Sequence, residues 1–166
     1  MAEAAASPPQ EPPTPGFYLR PRSRGFVAHV IASARNFRSL REVIAKGLSD
    51  LGVDSDTVDT VRLVVSELTG NGVRACGEYV PLVVEVYVGV EADAEARAGG
   101  EAGAVYINVH DPEPRRPLRR SGIALDDPDA ESGRGLALLD LLCPGWRVAN
   151  SPIGKQIRCR LACPAG

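Results

Sequence analysis

The chain has 166 residues, a formal net charge of −2 and 44% apolar residues. That length suits one domain with a single core, and that charge argues against a broad polyanion-binding surface. No apolar run approaches the ~20 residues of a membrane span, and the acidic, Ala/Pro-rich N-terminus is not a basic-then-apolar leader. A cytoplasmic protein with no membrane or direct nucleic-acid partner is therefore expected. The four cysteines, Cys76, Cys143, Cys159 and Cys163, form no CxxC pair and read as small apolar side chains rather than a zinc site.

Residues 1–24 hold Pro8, Pro9, Pro12, Pro13, Pro15 and Pro21 and predict a disordered or extended tail, with Phe17-Tyr18-Leu19 an incidental interruption. Residues 25–166 make up the single expected domain. Phe26–Ile31 predicts a strand. From Asn36 to Leu51 the apolar positions Phe37, Leu40, Val43, Ile44, Leu48 and Leu51 recur at helical spacing, with Gly52 as terminator. Asp54 or Ser55 can cap a second helix, buried through Val58, Val61, Val65 and Leu68 and ending near Ala75–Gly77.

Pro81–Val90 alternates and is β-branched, as a strand is. The polar stretch 91–103 reads as a solvated hairpin extension, and Val105–Val109 as the next strand, ending at His110-Asp111. The Pro- and Arg-rich stretch 112–132 reads as a long functional loop. A Leu-rich helix follows from about Gly133, stopped by Pro144-Gly145. Two closing strands, Trp146–Ala149 and Gln156–Leu161, are joined by a turn at Ser151–Gly154. This order predicts an α+β two-layer sandwich: a mixed, mostly antiparallel sheet with helices on one face.

Three places carry chemistry. Glu67 and Asn71 are four residues apart, so a helix stacks them on one face, where a carboxylate and an amide can hold a metal–water–phosphate group. Asp111 leaves the end of a strand, where a lone carboxylate can accept from an exocyclic amine. Gly133 and Gly135 bracket Arg134 at a helix start, whose free N–H groups suit an anion. A base-reading acid, a metal-binding amide and a phosphate-binding helix start together describe a nucleotide pocket. His29 and His110 read as structural, since neither sits on a helix beside the acid expected of a phospho-accepting histidine.

In this order the motifs resemble the GHKL superfamily (the Bergerat fold of histidine kinases, gyrase and mismatch-repair ATPases). They resemble most its single-domain branch of anti-sigma-factor serine kinases, in their actinobacterial form. The resemblance covers about residues 26–161 and implies the histidine kinase-like ATPase fold. Glu67-Leu68-Thr69-Gly70-Asn71 is similar to the N box, which implies that Asn71 holds Mg²⁺ and Glu67 is the catalytic base. Asp111 is similar to the adenine-reading acid. Glu131-Ser132-Gly133-Arg134-Gly135-Leu136 is similar to the second glycine box, which implies nucleotide contacts from Gly133, Arg134, Gly135 and Leu136. The resemblance implies ATP and Mg²⁺ as cofactors and serine/threonine kinase activity toward an anti-sigma-factor antagonist. It also implies a sigma factor as second partner and, as is frequent in such kinases, a homodimer.

Two departures support an alternative, a non-catalytic regulator that sequesters a partner with or without nucleotide. Pro112-Glu113-Pro114-Arg115 stands where the family has x-Gly-x-Gly, and prolines remove N–H groups and fix φ. Gly70 and Gly72 flank Asn71, each costing about 0.5–1 kcal/mol relative to Ala, and predict a weak or kinked helix end.

Overall fold

The computed structural model describes residues 14–89, 103–115 and 134–164. The elements in chain order are β1 (Phe17–Arg22), β2 (Gly25–Ile31), α1 (Ala34–Asp50), α2 (Ser55–Cys76), β3 (Pro81–Gly89), β4 (Ala104–Asp111), α3 (Arg134–Leu142), β5 (Arg147–Ser151) and β6 (Gly154–Ala162). The strands form one sheet in the order β1-β2-β3-β4-β6-β5. The α+β sandwich expected from the sequence is this fold, with one refinement. Every ladder among the described strands is antiparallel rather than mixed.

Two expectations are corrected. The tail does not reach residue 24, because Phe17–Arg22 is a strand paired with β2. The physical reason is Phe17, which is buried in the core and so cannot be incidental; Ile31 N donates to Gly16 O (2.7 Å) and fixes the strand's start. The end of α2 is also intact, running through Gly70 and Gly72 to Cys76. The stretches predicted as the hairpin extension and the long loop lie largely outside the described residues.

Local chemistry sets the helix boundaries. Ser33 Oγ accepts from Asn36 N at the start of α1 (3.1 Å). Asn36 is itself buried, and its Nδ2 donates to Ile31 O (2.8 Å), tying the helix to the end of β2. Asp54 caps α2, accepting from Thr57 N (2.9 Å) and Thr57 Oγ1 (2.6 Å); the hydroxyl bond, with the amide bond, holds the Asp54 carboxyl below its ordinary range. Leu40, Ile44 and Leu48 form the buried stripe of α1, and Val58, Val61, Val65 and Leu68 that of α2. Both stripes pack on Ala28, Val84, Val86, Ile107 and Val109 of the sheet. Truncating Ile44, which is fully buried, would cost about 2–5 kcal/mol.

Candidate nucleotide site

The odd-numbered side chains of β4, from Val105 to Asp111, face the helices. Asp111 is the last of them and the only charged one. It is 2% exposed and lies at the same end of the layer as the C-terminal half of α2. Gly72 makes that approach feasible: a Cβ there would stand 2.8 Å from Leu82 Cδ2 and 3.5 Å from Asp111 Cβ. The interior glycine of α2 therefore answers a packing need.

Glu67 and Asn71 share one face of α2, as their spacing requires. That face meets the first turn of α3 at Gly135, where a Cβ would fall 2.8 Å from Glu67 Oε2 and 3.6 Å from Asn71 Oδ1. The structure thus joins the acid, the amide and the start of the third helix in one place. A carboxylate beside a helix N-terminus is electrostatically favoured, so Glu67 stands where an incoming anion would be received. Leu136, the next residue, is buried in the core and anchors the turn. Arg134 begins α3, and Gly133 lies outside the described residues.

Two cations already sit on the two polar anchors. Lys155 Nζ donates to Asp111 Oδ1 (2.9 Å) and to Glu113 O (2.9 Å). Lys155 is 5% exposed, and its position follows from the β5–β6 hairpin. Gly154 has φ +143, a conformation that side chains rarely adopt, and a Cβ there would fall 2.1 Å from Asp111 O. This close approach seats the next residue directly opposite Asp111 in the β4–β6 register. Asp111 Oδ1 also accepts from Glu113 N (2.9 Å), while no described residue donates to Oδ2. On the helix, an Arg74 guanidinium N–H donates to Asn71 Oδ1.

Sequence reasoning did not assign a role to Lys155 or Arg74. The signal for Arg74 was present, at i+3 from Asn71 on the same helix face. For Lys155 the signal was weaker: one of only two lysines in the chain, placed beside a hairpin glycine.

The Pro112–Arg115 segment has its own internal clamp. Glu113 accepts from Arg115 N (3.0 Å), Nε (2.8 Å) and Nη2 (3.0 Å). The Arg115 guanidinium, ahead of its backbone N–H, holds the Glu113 carboxyl down at about 2. Cys76, exposed at the end of α2, has its thiol pushed up by burial and by the negative charges of Asp111 and Glu113. Lys155, Glu113 and the Asp111 turn thus hold the segment where prolines replace the expected glycines.

As to Mg²⁺, Asn71 Oδ1 is a suitable hard donor, but it accepts from Arg74, which is exposed and able to turn away. Among the described residues no cluster of three or more His, Cys, Asp or Glu could hold a metal by itself. An ion here would need oxygens from the nucleotide, as is usual for Mg²⁺.

The match to known families falls on this same architecture. The model of the histidine kinase-like ATPase domain matches residues 30–161. The chain belongs to the histidine kinase-like ATPase domain family. This ATPase domain is accordingly an ATP-binding type of domain, and Glu67, Asn71, Asp111 and Gly135 all lie inside the matched span. It is also similar to an uncharacterized protein of Streptomyces coelicolor, with 42% identity over 66 residues. That alignment covers 39% of this chain and 57% of the relative, so the chain spans little more than half the length of that protein. No helix among the described residues is long and apolar enough to cross a membrane.

Proposed function

We propose that this ATPase domain is an anti-sigma factor with ATP-dependent serine/threonine kinase activity toward an anti-sigma-factor antagonist. The observation that carries the reading is the meeting of Glu67 and Asn71 with the α3 start at Gly135, with Asp111 buried at the neighbouring end of the sheet. Asp111 Oδ2 accepts from the adenine amino group, while Lys155 keeps the carboxylate in place. The α3 start, with Gly133, Arg134, Gly135 and Leu136, receives the phosphates. Asn71 is the residue to hold Mg²⁺ once Arg74 turns away, and bound Mg²⁺ supplies neutralisation of phosphate charge. Glu67 orients the acceptor hydroxyl and takes its proton. Phosphoryl transfer depends mainly on positioning and electrostatics, so these few groups suffice. The antagonist and the sigma factor compete for the protein, which acts in the cytoplasm, alone or as a homodimer.

The second reading is a non-catalytic regulator. It is favoured by the occupied state of both anchors, Asp111 by Lys155 and Asn71 by Arg74, and by Pro112 and Pro114 beside the base site. Calorimetry with ATP and Mg²⁺, followed by labelled-phosphate transfer to candidate antagonists, separates the two. Under the kinase reading, Glu67→Ala retains ATP binding and lowers transfer by about 10²–10⁴-fold, and Asn71→Ala loses the Mg²⁺-dependent part of binding. ATP binding with no transfer to any antagonist leaves the regulator.

A further inference from the structure

The outer face of the sheet, opposite the helices, lies away from the nucleotide site and has a charge pattern of its own. Strand register lines its side chains in rows. One row runs Arg22, Gly25, Tyr87, Tyr106, Arg160, and the next runs Arg20, Val27, Glu85, Asn108, Arg158, Arg147. Gly25 is closely approached by β3, where a Cβ would fall 2.6 Å from Tyr87 Cα, and Arg22 stands 5.0 Å from the Tyr87 ring centre. Tyr87 and Tyr106 stack on each other, 5.0 Å apart and 10° from parallel. The one acid of these two rows is Glu85, already matched by Arg22 and by Asn108 Nδ2 (2.7 Å).

Five arginines against one engaged acid is a marked segregation in a chain of net charge −2. The sharpest point is Arg147, directly opposite Arg158 in the β5–β6 register. Neither has a carboxylate partner among the described residues, and like charges directly opposite each other destabilise a sheet. Arg147, Arg158 and Arg160 rim a cavity of about 560 Å³ over Tyr106 and Asn108.

We propose that this face docks an acidic segment of a partner protein, with its carboxylates seated on Arg147 and Arg158. The planar guanidinium fork suits bidentate capture of carboxylates, and an anion there would relieve the Arg147–Arg158 repulsion. A single-stranded nucleic acid fits less well. It needs open aromatic faces for its bases, whereas Tyr87 is covered by Arg22 on one side and Tyr106 on the other. A second copy fits poorly too, because an isologous interface would set these arginines against themselves.

The test is fluorescence anisotropy of the full chain with a labelled oligo-glutamate peptide, at about 0.15 M salt so that distant charges are screened. The peptide should bind the unmodified protein, and Arg158→Glu should weaken it by about tenfold or more. Arg147→Glu should weaken it similarly while Tm holds or rises, since it turns a repulsive cross-strand pair into an attractive one; a merely structural role for Arg147 would not separate the two readouts. Failure of the peptide to bind, or binding to both variants as tight as to the unmodified protein, overturns the proposal. Tighter binding of a thymidine oligonucleotide of equal charge gives the face to nucleic acid instead. A dimer in sedimentation that either variant dissociates gives it to a second copy.

Discussion

Lys155 Nζ lies 2.9 Å from Asp111 Oδ1, with the two side chains only 6% and 3% exposed. A pair so buried is weak evidence of net stability, but removing one partner strands the other charge at a cost of about 3–5 kcal/mol. Asp111→Asn should therefore lower unfolding stability by about 3 kcal/mol in urea titration, besides weakening ATP binding. The double variant Asp111→Leu with Lys155→Met should recover most of that stability, because apolar replacement of a whole buried pair is often neutral. It should remain unable to bind ATP by calorimetry. ATP binding by the folded double variant would remove Asp111 from the base site.

Gly135 and Gly72 both face close neighbours, but of different kinds. At Gly135 the obstacle is the far end of the Glu67 side chain at 2.8 Å, which can swing aside. Gly135→Ala should leave Tm unchanged or slightly higher, since Ala gains about 0.5–1 kcal/mol in a helix, while phosphate transfer falls with the displaced Glu67. At Gly72 the obstacle is Leu82 Cδ2 at 2.8 Å, on a side chain 1% exposed. Overpacking there costs about 1–3 kcal/mol, so Gly72→Ala should lower Tm. Thermal melts of the two variants side by side test the contrast.

Arg74 donates to the Asn71 oxygen that the proposed Mg²⁺ would need. Arg74→Ala frees that oxygen and should lower the Mg²⁺ concentration that half-saturates ATP binding. Calorimetric titrations over a Mg²⁺ series check this, and an unchanged half-saturation would mean that Asn71 is not the ion's ligand.

Cys76 offers a reporter of the charges on Asp111 and Glu113. Its thiol is pushed up by burial and by Asp111 and Glu113, so at a given pH it is less ionised than an ordinary cysteine. Since the thiolate is the nucleophile, its alkylation by iodoacetamide should rise with pH along a curve displaced upward from that of free cysteine. Neutralising Glu113 as Glu113→Gln should move the curve back down. Peptide mapping separates Cys76 from Cys143 and Cys159, which are both buried.

Much of this protein was determined by the sequence on its own. Apolar spacing located α1 and α2, β-branched alternation located β3, and the i, i+4 relation placed Glu67 and Asn71 on one helix face, because these are properties of local backbone geometry. Tertiary structure decided the rest. Phe17 reads as an interruption in a proline-rich tail until a core is present to bury it and recruit β1. Gly72 reads as a weak point in a helix until β3 brings Leu82 and β4 brings Asp111 against it. Lys155 is an unremarkable residue in a strand until antiparallel register sets it opposite Asp111, and Arg147 and Arg158 become neighbours only when the β5–β6 hairpin closes. Charge pairing and close approach depend on which strands become adjacent, and that follows from how the layers pack rather than from any local run of residues.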